Sequence, residues 1–219
     1  MHFKKKDPQR IKKVRPMRLT KKEQIFGHIP WAPDPIPVNP ERIRIYGNWV
    51  KENIVRVEIP QLVTAGLRQQ PYIHCNKKIA WQLQRLWQSW EEADRLQDIK
   101  SFDGLWVPRL VRGSKRRLSN HAYGTAFDIN ARWNHRGHEP AKLEQFGTVL
   151  RLVAIAQRWG FFWGGKFRNP DGMHFEIYEL RLAPDQDPLE PILKVLETVE
   201  APDHVLKASL PLAGGKLNR

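Results

Sequence analysis

The 219-residue chain has a single cysteine, Cys75. An intramolecular disulfide framework and a zinc site built from several thiolates are therefore both excluded, and any bound metal must be held by histidine and carboxylate. Long apolar runs are missing too. No stretch approaches the ~20 apolar residues of a membrane span, and the basic N-terminus MHFKKKDPQRIKKVRPMRLTKK lacks the apolar segment of a secretory signal. A cytoplasmic start is expected, with any route outward supplied by other means.

Acidic residues are scarce: 23 Asp and Glu face 37 Lys and Arg, for a formal charge of +14. That balance favours polyanionic partners, either nucleic acid or an anionic cell envelope. No recognised nucleic-acid motif accompanies the charge, so no specific nucleic-acid partner is expected. The 41% hydrophobic content and nine tryptophans suffice for one packed core, and the length suits one domain with extensions.

Composition divides the chain into a basic, flexible arm at 1–28, a proline-rich strap at 29–52, a folded domain at 53–181 and an extension at 182–219. The strap's five prolines in IPWAPDPIPVNPER forbid regular helix or central strand, so it should run extended with Trp31 as an anchor. Alternation in NIVRVEI predicts a strand over 53–59. Apolar residues at Ile79, Leu83, Leu86, Trp87 and Trp90 predict a helix within 76–96 that packs on the sheet. Further strands are expected over 105–111, 126–130 and 173–178, a helix over 143–159 stopped by Gly160, and a short helix over 189–199.

Three segments, SNHAYGTAFD at 119–128, WGG at 163–165 and DGMHFE at 171–176, carry residues that are costly to bury unless they have chemical work. Gly124 permits a tight turn after His121, and a strand from Ala126 then carries Asp128 back toward that histidine. On the last strand His174 and Glu176 share one face, while Phe175 and Ile177 point to the other. Two imidazoles and a carboxylate suit zinc, and three protein ligands leave a fourth position for water. Asp171, three residues before His174, is the best-placed general base.

These segments resemble the zinc peptidases that include D-alanyl-D-alanine carboxypeptidases, vancomycin-resistance D,D-dipeptidases and phage L-alanyl-D-glutamate endopeptidases. The family pattern SxHxxGxAxD is met at Ser119, His121, Gly124, Ala126 and Asp128. Its acid-x-x-His pattern is met at Asp171 and His174, and WGG resembles the turn before it. The likeness covers roughly residues 102–178.

By that resemblance His121, Asp128 and His174 hold one zinc ion per chain, Asp171 is the base, and an upstream arginine stabilises the oxyanion. Arg109 is preferred for that role and Arg112 is second. Ser119, Tyr123 and Trp163 are candidates for contact with substrate, with Phe167 a further aromatic wall; Ser119 serves equally as a local cap or a support for His121. The implied fold is α+β, an antiparallel sheet with packed helices and a zinc site in an open groove. The implied substrate is the peptide of bacterial peptidoglycan, cut by a monomer whose basic surface gathers at an anionic wall. The rival reading is a non-catalytic wall-binding or phage structural module on the same fold, against which an intact Asp171 speaks.

Overall fold

The computed structural model describes residues 14–183, so the helix expected over 189–199 lies outside the described residues. Contacts divide the chain into Met1–Arg181 and Leu182–Arg219, and every described helix and strand belongs to the first unit.

The chain opens with helix α1 (Leu19–Phe26), within the stretch that composition assigns to a flexible arm. It orders because its C-terminal end has apolar side chains to bury: Phe26 joins the core, Ile25 packs against it, Met17 is buried just ahead of the helix, and the Trp49 indole donates to the Phe26 carbonyl at 2.9 Å. The strap then folds back on itself, pairing β1 (Trp31–Pro33) antiparallel with β2 (Ile43–Ile45). Pro33 is tolerated because β1 is an edge strand of this ribbon. Helix α2 (Trp49–Asn53) leads into β3 (Ile54–Glu58), which after α3 (Gln61–Thr64) pairs antiparallel with β4 (Tyr72–Asn76).

Helix α4 (Ala80–Glu92) follows, and each of its predicted core residues, with Ile79 just ahead of it, is fully buried. The central sheet is built from β5 (Phe102–Gly104), β6 (Ala126–Ile129), β7 (Phe161–Trp163) and β8 (His174–Ile177), in the order β5-β6-β8-β7 and antiparallel throughout. Helix α5 (Leu150–Arg158) sits between β6 and β7 in the chain and packs on α4. Among the described residues this is an α+β fold with small antiparallel sheets.

One face of the central sheet makes the core. Phe127 and Phe175 are cross-strand partners whose rings stack at 5.4 Å with 6° between planes. Trp90 of α4 meets both edge-on, at 6.0 and 6.2 Å, and its indole donates to the Leu152 carbonyl of α5. Each buried aromatic contributes about 1.5–3 kcal/mol of apolar burial, so this cluster fixes the register of β6 against β8.

Two expectations are corrected. Residues 105–111 form no ladder strand; β5 lies upstream. Pro108 has no N–H to give a ladder, and the run's hydrogen bonds disperse: Val107 donates to the His121 carbonyl, Leu110 to that of Glu41, while the Pro108 carbonyl accepts from Ile43. The helix expected over 143–159 begins only at Leu150. Gly147 takes φ +79°, a Cβ there would meet the Trp133 ring at 2.5 Å, and its carbonyl accepts from the Asn130 and Asn134 side chains instead of a helical partner.

Candidate metal centre

Asp128 and His174 occupy directly opposed positions on β6 and β8, on the sheet face away from the phenylalanine stack. His121 comes to the same point from the turn at 119–124. There the Ser119 hydroxyl accepts from the His121 amide, the Gly124 amide returns to the His121 carbonyl, and Gly124 takes φ +67°. A Cβ at Gly124 would lie 2.8 Å from the Asn76 amide nitrogen, so glycine is required both for the conformation and for the fit.

The three side chains converge through defined atoms. The Leu105 carbonyl accepts from His121 Nδ1 at 2.8 Å, which leaves Nε2 with its lone pair. That Nε2 lies 3.2 Å from His174 Nδ1 and 3.3 Å from Asp128 Oδ2, and His174 Nδ1 lies 3.0 Å from Asp128 Oδ1. Zinc bonds of about 2.1 Å in tetrahedral geometry separate ligand atoms by about 3.4 Å, so the spacing fits a zinc ion with little adjustment. His121 and His174 are buried and Asp128 half-buried. His174 Nε2 in turn bonds Glu176 Oε2 at 3.1 Å, the carboxylate–histidine support that orients a metal-binding imidazole.

The electrostatics match a site that wants a cation. Burial works against the Asp128 charge, yet the His121 and His174 imidazoles outweigh it and hold that carboxyl well below the usual range. Burial likewise opposes a charged His174, but its hydrogen bonds to Asp128 and Glu176 prevail and push it up to about 10. Asp171 moves the other way: desolvation raises it above an ordinary aspartate, with Asp128 adding repulsion against the pull of His174. One of its carboxylate oxygens is buried and accepts no hydrogen bond.

A cavity of about 650 Å³ adjoins the centre, and Asp171, His174 and Glu176 line it. Arg109 lines it as well; burial lowers its pKa, while Asp128 and Asp171 counteract, so its guanidinium lies within electrostatic reach of the centre. Arg112 lines the cavity but is committed to Glu41 at 2.6 Å. Ser119 is buried at the cavity edge, and Phe167 forms part of its wall.

Tyr123 and Trp163, expected at the substrate, are placed elsewhere. Tyr123 is fully buried against Phe26 and Trp49, because the turn that aims His121 toward Asp128 and His174 aims its near neighbour into the core. Trp163 packs on the core and donates to the Gly172 carbonyl at 2.8 Å, bracing the turn that carries Asp171. Sequence reasoning missed Lys22, Asn120, Arg136 and Arg168, all on the cavity wall. Asn120 stood inside the recognised motif, beside His121.

Residues 112–177 match the family model described as D-alanyl-D-alanine carboxypeptidase. The segment resembles these zinc peptidases. It contains all three metal-site residues and Asp171, whereas Arg109 and the helix α1 fall before it. No curated protein and no solved structure gives a significant match to the chain. A peptidase-type activity and a metal site of zinc-peptidase kind are thus what the family match and the geometry support together. Among the described residues no helix is long and apolar enough to cross a membrane.

Proposed function

We propose that the chain is a zinc-dependent metallopeptidase that hydrolyses peptide bonds in the stem peptides of bacterial peptidoglycan, as a D,D-carboxypeptidase or an L-alanyl-D-glutamate endopeptidase. The observation that carries this reading is the convergence of His121, Asp128 and His174 beside a cavity whose wall holds Asp171 with an unpartnered carboxylate oxygen. A binding module has no use for such a base.

His121, Asp128 and His174 would hold the zinc ion, which when bound would supply Lewis-acid polarisation of the scissile carbonyl and acidify the attacking water. Asp171 accepts a proton from the attacking water as the C–O bond forms, then returns it to the leaving amine as the C–N bond breaks. Its raised pKa suits both halves of that transfer. Arg109 donates to the carbonyl oxygen as charge develops there, while Arg112, tied to Glu41, holds the loop in front of the first ligand. Ser119 fixes the His121 backbone. The formal charge of +14 concentrates the enzyme at an anionic wall, an attraction that weakens with salt.

Mass spectrometry of peptidoglycan and of defined muropeptides, incubated with zinc-loaded protein beside an Asp171→Asn control, tests this. New peptide ends made only by the wild type identify the bond. Intact muropeptides in both samples, with zinc bound, would replace the hydrolase with a wall-binding module.

A further inference from the structure

The helix α1 lies more than eighty residues ahead of the matched segment, yet it reaches the metal centre. Its Lys22 ammonium donates to Asn120 Oδ1 at 2.5 Å. The same Asn120 side chain donates through Nδ2 to Glu176 Oε2, and that oxygen is the one bonded to His174 Nε2 at 3.1 Å. A continuous chain therefore runs from α1 to a metal-site histidine: ammonium, carboxamide, carboxylate, imidazole.

The chain has one direction, set together by the cation at its outer end and the carboxylate at its inner one. A carboxamide has one accepting and one donating end. With Lys22 in place, the Asn120 oxygen must face the ammonium and its nitrogen must face Glu176. Rotating the amide by half a turn would set nitrogen against ammonium and oxygen against carboxylate, two repulsive contacts in a partly buried place. The Asn120 backbone offers no freedom to escape, since its carbonyl accepts from both the amide and the hydroxyl of Thr125. Glu176 so supported accepts from His174 Nε2–H, and Nδ1 is the nitrogen left toward His121 and Asp128.

The helix is anchored where it stands by buried Phe26, by the Trp49 indole on the Phe26 carbonyl and by Lys78 on the Ile25 carbonyl. Met17, Leu19 and Lys22 also form part of the cavity wall.

We infer that Lys22 is a positioning residue of the metal centre: through Asn120 and Glu176 it fixes the orientation of His174, so that helix α1 completes a site whose ligands all lie much further along the chain, at His121, Asp128 and His174. This rests on the reading that the triad holds a metal, and the test separates the two.

Zinc affinity is measured by chelator competition, and the absorption spectrum of the cobalt-substituted protein reports ligand orientation, for the full-length wild type, Lys22→Met, Lys22→Arg, Glu176→Gln and the Lys22→Met/Glu176→Gln double variant. Loss of such an outer partner weakens metal binding by about 10–100-fold, the range expected for Glu176→Gln. Lys22→Met, two hydrogen bonds further out, is expected to weaken it about threefold to tenfold and to change the cobalt spectrum, Lys22→Arg to restore both, and the double variant to bind no more weakly than Glu176→Gln alone. Unchanged zinc affinity in folded Lys22→Met, or fully additive losses in the double variant, would overturn the inference. Should Lys22→Met not fold, Asn120→Ser decides the question in its place: weakened zinc binding supports the relay and wild-type binding sinks it. A wild type that binds no zinc overturns the metal reading, and this one with it.

Discussion

Phe127 and Asp128 are neighbours in the chain and face opposite sides of one sheet, as do Phe175 and His174 directly across from them. On one side the pair stacks into a core closed by Trp90; on the other the pair meets His121 at hydrogen-bonding distance. The same register serves both faces, so the aromatic stack that stabilises the sheet also sets the separation of two candidate metal ligands. A one-residue slip would exchange the faces and destroy both at once. Chemistry and packing here are two readings of a single strand pairing.

The strongest way to separate the faces is to remove chemistry without touching packing. Asp171→Asn is expected to lower turnover of a muropeptide by about 10²- to 10⁴-fold, the range of general acid–base catalysis, while zinc stoichiometry and melting temperature stay near wild type. His174→Ala should abolish both zinc binding and turnover. An Asp171→Asn protein that lost its zinc would show that this carboxylate serves the metal rather than the proton.

The converse change removes packing and keeps every polar group. Phe127→Ala deletes a fully buried ring and is expected to cost about 3–5 kcal/mol in denaturant unfolding. If the core sets the register, zinc affinity of the folded fraction must fall as well. Retention of full affinity would mean that the polar face holds its own geometry.

The two sides should also part company with pH. Without metal, hydrogen bonds to Asp128 and Glu176 outweigh burial and push His174 up to about 10, above the ordinary histidine value of about 6.5. A raised pKa contributes stability that is fully present below the unfolded value and is lost as pH rises through the folded one. Metal-free protein is therefore expected to lose stability between about pH 6.5 and 10. Zinc must displace that proton, so its affinity should rise over the same window by up to about tenfold per pH unit. Calorimetry with and without zinc checks both slopes; parallel slopes would refute the displacement. For Asp171 the direction is also upward, so the acid limb of the turnover profile should lie above the ordinary aspartate value.

Strand alternation and motif spacing made the centre legible: His121, Asp128 and His174 meet where their pattern implied. Helix α4 was equally legible, because a burial stripe of Leu83, Leu86, Trp87 and Trp90 has one reading. What stayed hidden depended on partners remote in sequence. Residues 105–111 look like a strand by composition, but their hydrogen bonds go to the strap and the His121 turn, which no local pattern announces. Tyr123 sat within the motif and looked like groove lining until Phe26 and Trp49 enclosed it. Helix α1 was concealed by its charge; among the lysines of LTKKEQIF only the fold distinguishes Lys22, which reaches Asn120.

The smallest expected effect concerns the choice between two arginines. Arg109 and Arg112 both line the cavity, and spacing alone did not rank them. Arg112 pairs with Glu41 across a partly exposed contact, the kind of ion pair worth about 0.2–1 kcal/mol. Arg112→Ala is thus expected to cost stability of that order, with turnover nearly unchanged. Arg109 faces Asp128 and Asp171 with its charge, and Arg109→Ala should lower turnover by about 10²- to 10³-fold with little change in melting temperature. Steady-state kinetics on the two variants ranks them. If Arg112→Ala carried the kinetic loss, the loop pinned by Glu41 would have to release its arginine to the substrate, and the cavity wall would be a moving part rather than a fixed one.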